Sequence, residues 1–482
     1  MLDFRPVLFV VGAQLVVLAL TMLAPTAIEV YAGTPDWRAF IFAGAATLFF
    51  GGALVLATYS ERARLGLRQS FVMTTLCWVS AAWFGALPFV LLGQPLSITD
   101  AFFESMSAIT TTGSTVMVGL DHAAPGILLW RGLLQWIGGI GIIVTAVAVL
   151  PMLQVGGMQL FRTESSDRSQ KILPRTGQLA VGIAVVYGAM TLALVISLYL
   201  AGMTLFNAVV HAMTTISTGG FSTTDQSIAA YSNLAIHWII IVGMIAGAMP
   251  FLLFMSALHG NVRALVQDTQ VRWFLATLAV VIAGIAVAEE TYGHQPFWVA
   301  LRLSAFNVTS IMSGTGFATA EYDRWGNFAP GVFFMLMFIG GCAGSASCGI
   351  KIFRFQILFA AAGQQIKRLI RPRGVFIAYY NRSPISTEII ESVMVFSLVY
   401  MACFATLTIT MGVLRLDLLT AASASATTMS NVGPGLGEIV GPAGTFASIP
   451  DAGKWILSAG MLLGRLEFFT VLVLFAPSFC RD

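Results

Sequence analysis

Apolar segments of about 20 residues recur along almost the whole chain, and this pattern restricts the possible folds more than any other feature of the sequence. Ten such segments are predicted, at about residues 7–31, 38–58, 70–92, 127–153, 177–201, 235–258, 273–288, 330–348, 387–412 and 453–476. A helix of that length crosses the hydrocarbon core of a bilayer. Because 57% of the 482 residues are hydrophobic and only 10% are charged, the chain cannot cover a water-soluble surface with charge. We therefore expect an all-α integral membrane protein surrounded by the lipid bilayer.

The charge and the cysteine content exclude two further classes. The net charge is only +3 and the basic residues are dispersed, so nucleic acid is not an expected partner. The five cysteines lie mostly inside apolar segments, where a thiol behaves as a small hydrophobic group. We expect neither a disulfide framework nor a zinc site. The first apolar segment is longer than a signal-peptide core and is expected to remain as the first span.

Four shorter apolar segments lie between the long ones, and each leads into a cluster of Ser, Thr and Gly. They cover residues 101–109, 205–216, 297–312 and 418–429. Their length favours a re-entrant helix over a spanning one. If all four return to the side from which they came, 18 of the 25 lysine and arginine residues lie on one side of the membrane. The positive-inside rule makes that side cytoplasmic, so the four segments are predicted to enter from outside.

The four clusters repeat at a nearly regular spacing. Their last glycines, Gly113, Gly220, Gly316 and Gly433, are separated by 107, 96 and 117 residues. A unit of span, re-entrant segment and second span therefore occurs four times, which predicts four tandem repeats around a pseudo-fourfold axis. The predicted divisions are two additional N-terminal transmembrane helices at 1–69, then pore repeat 1 at 70–162, pore repeat 2 at 163–262, pore repeat 3 with a Gly-rich intramembrane loop at 263–372, and pore repeat 4 at 373–482.

The residues that end the four short segments are suited to bind a dehydrated cation. A filter of this kind uses rings of backbone carbonyl oxygens, and glycine permits the backbone dihedrals that such rings require. The C-terminal end of each re-entrant helix would also direct a partial negative charge at the ion path. The candidate ligands are backbone carbonyls and threonine hydroxyls of Thr111, Thr112, Gly113, Thr218, Gly219, Gly220, Gly314, Thr315, Gly316, Asn431, Val432 and Gly433.

Other polar residues occupy repeated positions in these segments. Glu104, His211 and Asn307 each precede the glycine of their repeat by nine residues. They are expected either to hydrogen-bond behind the filter or to form the polar face of an interhelical contact. A second set stands near the helix starts, where short polar side chains can cap free N–H groups: Asp100, Asn207 and Asp417.

The predicted second span of repeat 3 contains a cluster of small residues that makes a poor helix, since each glycine costs about 1 kcal/mol relative to alanine. One interpretation is a close helix–helix contact between small residues. The other is an unwound, mobile segment beneath the filter that acts as a gate. The candidate gate residues are Gly340, Gly341, Gly344, Ser345 and Gly349.

Arg465 is the remaining candidate, because it lies inside the last predicted span. A charge at that depth is costly and usually faces a cavity or a partner. Glu467 is only two residues away and so does not share its helix face. Arg465 is expected either to form an ion pair with another helix or to place a positive charge in the pore below the filter.

The four clusters resemble the pore loops of the Trk/Ktr/HKT superfamily of potassium transporters. The similarity is carried by residues 110–113, 217–221, 313–317 and 431–434, and it extends over essentially the whole chain. The two additional N-terminal spans and the Gly-Arg-Leu-Glu sequence at 464–467 are most similar to the bacterial TrkH-type branch.

This resemblance implies a single-file potassium filter, with Gly113 in the place that goes with potassium selectivity. It implies that the segment from Gly340 to Gly349 gates the pore and that Arg465 is the arginine which the family places below the filter. It also implies a homodimer on cytosolic, TrkA-like regulatory subunits that bind nucleotide. No phosphate loop lies on a βαβ pattern here, so potassium is the only expected ligand and no organic cofactor is expected.

The sequence thus predicts a pore-forming subunit for potassium uptake across the bacterial cytoplasmic membrane, and not an enzyme. A sodium- or proton-coupled symporter of the same fold remains open. A secondary transporter for a small solute would require inverted repeats. An enzyme acting on lipids would require a convergent catalytic set, and the five histidines are scattered.

Overall fold

The computed structural model describes residues 3–59, 66–93, 95–148, 176–293, 295–381, 383–477 and 479. This part of the chain is almost entirely helical, as predicted, with one short antiparallel pair of strands, β1 (Tyr379–Tyr380) and β2 (Ser383–Pro384). Seven of its helices are long and apolar enough to cross a membrane, or nine if each of two sharply bent pairs counts as one span. The predicted division between repeats 1 and 2, at residues 162 and 163, lies outside the described residues.

The N-terminal helices precede the repeats, as predicted. They are α1 (Arg5–Thr21), α2 (Leu23–Ala32) and α3 (Trp37–Thr58). Helices α1 and α3 lie so close together at Gly12 and Gly51 that a Cβ atom on either glycine would be 2.9 Å from the carbonyl oxygen of the other. Small residues at such a crossing are the usual means by which membrane helices pack.

Each of the four repeats then supplies spanning and re-entrant helices. Repeat 1 has α4 (Leu67–Gly85), α5 (Leu87–Leu91), α6 (Ile98–Ile109) and α7 (Pro125–Ala148). Repeat 2 has α8 (Thr176–Leu200), α9 (Leu205–Ile216), α10 (Leu234–Gly247) and α11 (Phe251–Leu258). Repeat 3 has α12 (Arg263–Gln267), α13 (Thr269–Tyr292), α14 (Phe297–Ser313), α15 (Ala329–Met337) and α16 (Ile352–Ile370). Repeat 4 has α17 (Thr387–Val413), α18 (Leu418–Ser430), α19 (Gly437–Val440), α20 (Asp451–Arg465) and α21 (Phe469–Leu472).

The re-entrant helices are α6, α9, α14 and α18, and the way in which they pack closes the ring of repeats. Each lies against the second span of the preceding repeat: α9 against α7, α14 against α10, α18 against α15, and α6 against α20. Contact between repeat 4 and repeat 1 makes the arrangement cyclic. The four units are therefore related by a pseudo-fourfold axis, and the inverted repeats of a small-solute transporter are not the architecture of this chain. The exact divisions between repeats remain predictions.

Three second spans differ from the continuous helices that were predicted. The segment at 235–258 bends by 98° between α10 and α11. The backbone groups freed at this break bind the Gly-rich segment of repeat 3, since Phe251 donates its N–H to the Gly344 carbonyl and Ala248 accepts from the Cys342 N–H. Tertiary contacts thus replace the helical hydrogen bonds at the bend.

The segment at 453–476 bends by 109° between α20 and α21. Glu467 and Phe468 have φ values of 55° and 54° there. Positive φ values are incompatible with a continuing right-handed α-helix, so α20 ends before them. The predicted span at 330–348 is also wrong as a helix, because α15 ends at Met337.

Candidate ion pathway

The four loops that follow the re-entrant helices meet in a closed ring. A Cβ atom on the last glycine of each loop would lie 3.0 Å or less from a carbonyl oxygen of the next loop. Gly113 faces the carbonyl of Gly219, Gly220 that of Thr315, Gly316 that of Val432, and Gly433 that of Thr112. All four glycines also have positive φ, from 75° to 115°. Glycine is therefore required at each position, both for its dihedrals and for the close approach of the neighbouring carbonyl.

Each loop begins with the same helix-ending motif. The residue two places before the last glycine has positive φ: 52° at Thr111, Thr218 and Asn431, and 74° at Gly314. The next residue donates its N–H back by five positions, as from Thr112 to Ser107 at 2.8 Å. This is the Schellman pattern, in which the left-handed residue turns the chain out of the helix. A β-branched threonine rarely adopts this conformation, so the surrounding structure must hold Thr111 and Thr218 in place.

In three repeats, a glycine on the second span contacts the C-terminal end of the re-entrant helix. A Cβ atom on Gly138, Gly247 or Gly464 would lie less than 3.0 Å from a carbonyl in the last turn of the re-entrant helix of the same repeat. Those carbonyls belong to Ile109, Ile216 and Met429. Contact between the backbone of the second span and that of the re-entrant helix thus fixes the position of the loop that follows.

The prediction that Glu104, His211 and Asn307 hydrogen-bond behind the loops is confirmed. Glu104 accepts from the Val116 N–H at 2.9 Å, and Asn307 accepts from the Thr319 N–H at 3.1 Å. The Nε2 atom of His211 lies 3.0 Å from the Ser222 hydroxyl. In each case a side chain from the middle of the re-entrant helix holds the residues that follow the last glycine.

The equivalent contact in repeat 4 was missed by sequence reasoning. The hydroxyl of Ser423 accepts from the Leu436 N–H at 3.0 Å. Ser423 precedes its glycine by ten residues instead of nine. Its polarity inside a buried helix was the only available signal.

Two of the three predicted helix caps are wrong. Asp417 caps α18 by accepting from the Thr420 N–H at 3.0 Å. The caps of α6 and α9 are instead Ser97 and Thr204, which precede the predicted Asp100 and Asn207 by three residues. Helix α6 begins at Ile98 instead of the predicted residue 101, whereas α9 begins at Leu205 as predicted. In both helices the residue predicted as the cap, Asp100 or Asn207, lies within the first turn.

The threonine hydroxyls around the ring differ in their partners. The Oγ1 atoms of Thr111 and Thr218 are buried and have no hydrogen-bond partner within the described residues. The Thr112 hydroxyl receives a hydrogen bond of 2.8 Å from the Asn431 amide, and the Thr315 hydroxyl lies 2.7 Å from that of Ser313. The four hydroxyls are therefore not equivalent, because only the second pair has hydrogen-bond partners among the described residues.

A cavity of about 390 Å³ lies on one side of the ring. Its lining includes Gly113, Gly220, Gly316 and Gly433, together with the side chain of Arg131. All four loops are therefore accessible from a single vestibule.

Arg131 and Gln135 on α7 were not identified from the sequence, although both support the loops. Arg131 pairs with Glu104 at 2.8 Å and is only 1% exposed. Gln135 is fully buried and donates to the Gly219 carbonyl at 2.6 Å. A charged side chain within a predicted span indicates a functional position, and Arg131 could have been identified in this way because it lies within the predicted span 127–153.

The Gly-rich segment of repeat 3 is an unwound loop, which we call the intramembrane loop (residues 338–351). The alternative of a helix–helix contact by small residues is therefore wrong. Among the predicted gate residues, Gly344 and Gly349 have φ values of 76° and 71°. A Cβ atom on Gly340 or Gly341 would overlap neighbouring backbone, and the Ser345 hydroxyl donates to the Cys342 carbonyl at 2.5 Å.

This loop lies directly against the ring. A Cβ atom on Gly314 would be 3.6 Å from the Ser347 hydroxyl and 3.7 Å from the Cys348 nitrogen. Lys351 donates to the carbonyl of Ser347. The intramembrane loop is thus in direct contact with the ring at Gly314.

Arg465 contacts the intramembrane loop and forms no ion pair among the residues that the structure describes. Its guanidinium donates to the Ala346 carbonyl at 3.0 Å, to the Cys348 thiol at 2.7 Å and to the Gly138 carbonyl at 3.1 Å. The expected alternative of an ion pair with another helix is therefore wrong. Arg465 instead links the intramembrane loop to α7.

Glu467 pairs with a different arginine. Its carboxylate accepts from Arg354 at the start of α16, and the guanidinium of Arg354 lies 3.7 Å from the ring centroid of Phe396. This contact ties the turn after α20 to the far end of the intramembrane loop.

Comparison with known proteins agrees with this geometry. The profile of a family described as TrkH, cation transport protein, matches residues 37–480. The chain is 44% identical over 480 residues to the Trk system potassium uptake protein TrkI of Halomonas elongata, covering 99% of this chain and 97% of the relative. It is 36% identical over 493 residues to the Trk system potassium uptake protein TrkH of Vibrio parahaemolyticus, with 100% of both covered. The crystal structure of the potassium transporter TrkH from Vibrio parahaemolyticus matches with a TM-score of 0.92 at 33% identity, over 100% of both chains.

Proposed function

The chain belongs to the TrkH family of cation transport proteins, and we propose that it takes up potassium across the bacterial cytoplasmic membrane as the pore-forming subunit of a Trk-type system. The observation that carries this proposal is the closed ring, in which each loop's last glycine faces a carbonyl of the next loop. Four equivalent sets of carbonyls around one axis can replace the hydration shell of a potassium ion. The relatives named above as potassium uptake proteins support the identity of the ion.

In this proposal the ion is bound by twelve residues, three from each loop. Four helix C-terminal ends directed at the ring favour a cation over an anion. Potassium is both the cargo and the only ligand. The ligands are Thr111, Thr112, Gly113, Thr218, Gly219, Gly220, Gly314, Thr315, Gly316, Asn431, Val432 and Gly433.

The intramembrane loop and Arg465 form the proposed gate. The loop lies against Gly314, so an ion that leaves the ring must pass beside it. The guanidinium of Arg465 adds a positive charge there and holds the loop by two hydrogen bonds. Movement of the loop would remove both obstacles together.

The proposed partners act from the cytoplasm. Helix α16 follows the intramembrane loop directly and ends with the basic residues Lys367 and Arg368. A cytosolic, TrkA-like ring of nucleotide-binding subunits that displaces α16 could therefore move the gate. The resemblance to the family supports this partner and a homodimer.

The test is cation uptake by purified protein in liposomes, with potassium, rubidium, sodium and ammonium compared. We expect uptake of potassium and rubidium well above that of sodium. Equal uptake of sodium and potassium would contradict the proposal. Uptake that requires a sodium or proton gradient would favour the symporter alternative.

A further inference from the structure

We infer that Arg131 and Gln135 form a polar clamp on the loop of repeat 2 and thereby determine the cation preference of the ring. The two side chains lie four residues apart on α7, so they share one face of that helix. Both are directed at residues 219–222, which belong to a different repeat. The inference rests on the proposed function, because it names the residues that set the selectivity of that same site.

Gln135 holds the loop by two hydrogen bonds of opposite direction. Its Nε2 atom donates to the Gly219 carbonyl at 2.6 Å, and its Oε1 atom accepts from the Phe221 N–H at 3.1 Å. A carbonyl can only accept and an N–H can only donate, so only this orientation of the amide satisfies both partners. Gln135 is fully buried, which makes each of these hydrogen bonds costly to lose.

Arg131 holds the next residues of the same loop. Its Nη1 atom donates to the Ser222 carbonyl at 3.0 Å, and its guanidinium lies 4.0 Å from the ring centroid of Phe221. The opposite edge of the guanidinium binds repeat 1, through Glu104 at 2.8 Å and the Thr115 hydroxyl at 3.0 Å. Arg131 therefore joins the loops of repeats 1 and 2 behind the ring.

The loop of repeat 2, which we call loop 2, needs such support because the residue before its last glycine has no side chain. The ring carbonyls belong to Thr112, Thr315 and Val432 in three repeats and to Gly219 in the second. β-Branched residues restrict the backbone, whereas glycine leaves it free. A Cβ atom on Gly219 would overlap the Gln135 amide, so Gln135 occupies the volume that the side chain would fill.

The clamp acts on the loop of repeat 2 alone. Gln135 lies three residues before Gly138 on the second span of repeat 1. The equivalent residues, three before Gly247 and Gly464, are Met244 in repeat 2 and Met461 in repeat 4. Methionine offers no such donor. Among the described residues, no side chain donates to the three other ring carbonyls.

This asymmetry has a consequence for the ion. A carbonyl that already accepts a hydrogen bond from an amide is held at a constant position and shares its negative potential with that amide. The position and strength of the ring carbonyls decide which cation replaces its hydration shell most favourably. Loss of the Gln135 amide therefore allows the Gly219 carbonyl to move and reduces the preference of the ring for potassium over sodium.

The test is the reversal potential of the reconstituted protein between potassium on one side and sodium on the other. A lower amount of folded protein reduces the current without moving this potential. We expect Gln135→Ala to lower the preference for potassium about three- to tenfold, the size expected for one neutral hydrogen bond. A tenfold loss moves the potential by about 59 mV. Gln14→Ala is the matched control, because Gln14 donates to the Cys77 carbonyl outside the four repeats and should leave the potential unchanged.

A second substitution distinguishes positioning from a general effect on folding. Gly219 does not have positive φ, so the backbone there accepts a β-branched residue once Gln135 is removed. The double variant Gln135→Ala/Gly219→Thr should recover part of the preference, because loop 2 then resembles the other three. Arg131→Lys keeps the charge beside Glu104 but loses the planar fork that reaches Ser222, and it should also lower the preference.

The outcomes separate this inference from the proposed function. Wild-type protein without any preference for potassium would contradict the proposed function. A wild-type preference that Gln135→Ala and Arg131→Lys both leave unchanged would overturn the clamp. A double variant no closer to wild type than Gln135→Ala would also overturn it. If Gln135→Ala yields no folded protein, the double variant and Arg131→Lys decide the question.

Discussion

The guanidinium of Arg465 donates a hydrogen bond of 3.0 Å to the carbonyl oxygen of Ala346. Through this bond the last span holds the intramembrane loop, and a second nitrogen of the same side chain reaches the Gly138 carbonyl on α7. A single buried cation therefore connects the second spans of repeats 1 and 4 with the loop of repeat 3. Charged side chains inside membrane segments are rare, and they usually face a cavity or pair with other charges or with backbone carbonyls, as Arg465 does here.

Substitution Arg465→Ala should raise potassium conductance. It removes a positive charge near the ring and releases the intramembrane loop from Ala346 and Cys348. The measurement is the initial rate of potassium uptake by liposomes that contain equal amounts of folded protein. Arg324→Ala is the control, because Arg324 is 68% exposed and pairs with Glu321, three residues away in the same loop. Equal rates for wild type and Arg465→Ala would show that this arginine is not part of the barrier.

Substitution Gly113→Ser should admit more sodium. Gly113 has a φ of 86°, and a Cβ atom there would overlap the Gly219 carbonyl. The neighbouring loop must move, so the carbonyls no longer surround the ion at their original distance. We expect the ratio of potassium to sodium uptake to fall about fivefold, as for ~1 kcal/mol of lost discrimination.

The control for this variant is Gly52→Ser, which adds the same atoms where nothing lies within 4 Å. Gly52→Ser should retain the wild-type ratio. An unchanged ratio in Gly113→Ser would mean that this loop does not contribute to selectivity.

Substitution Gly138→Ala should destabilise the protein. The added Cβ atom would overlap the Ile109 carbonyl at the end of α6. Overpacking of this kind typically costs about 1–3 kcal/mol. The Tm in detergent should therefore fall.

Gly188→Ala provides the comparison, since Gly188 lies in α8 with nothing within 4 Å. Alanine is favoured over glycine in a helix, so its Tm should stay the same or rise. A Gly138→Ala variant as stable as Gly188→Ala would argue that α6 and α7 can separate without cost.

Asp417 should make the stability of repeat 4 depend on pH in the acidic range. Hydrogen bonds from the Thr420 side chain and backbone hold the pKa of the Asp417 carboxyl below its ordinary value of 3.8. A lowered pKa means that the stabilisation is present above 3.8 and is lost as the pH falls through the lowered value. Asp417→Ala should cost about 1 kcal/mol at neutral pH.

The difference in Tm between wild type and Asp417→Ala should therefore be constant at neutral pH and shrink in acid. Asp417→Asn is the matched variant, because asparagine caps a helix equally well but does not titrate. It should keep most of the stability without the acid dependence. A difference that persists unchanged at low pH would show that the ionised carboxylate contributes nothing.

Much of this architecture could be predicted because it depends on local features. Hydrophobic length located the spans, and the spacing of Gly113, Gly220, Gly316 and Gly433 revealed four repeats before any contact was known. The glycines are informative because positive φ is a property of the single residue. The bends near Ala248 and Glu467 could not be predicted, because their backbone groups bind partners elsewhere in the chain.

The sequence by itself determined that four re-entrant units exist and which residues end them, since apolar length and glycine placement act within each unit. Only the tertiary structure decided which side chains support which loop. Gln135 belongs to repeat 1 and holds Gly219 of repeat 2, across 84 residues of sequence. The physical reason is that each second span packs against the re-entrant helix of another repeat, so the decisive hydrogen bonds join residues that no local pattern connects.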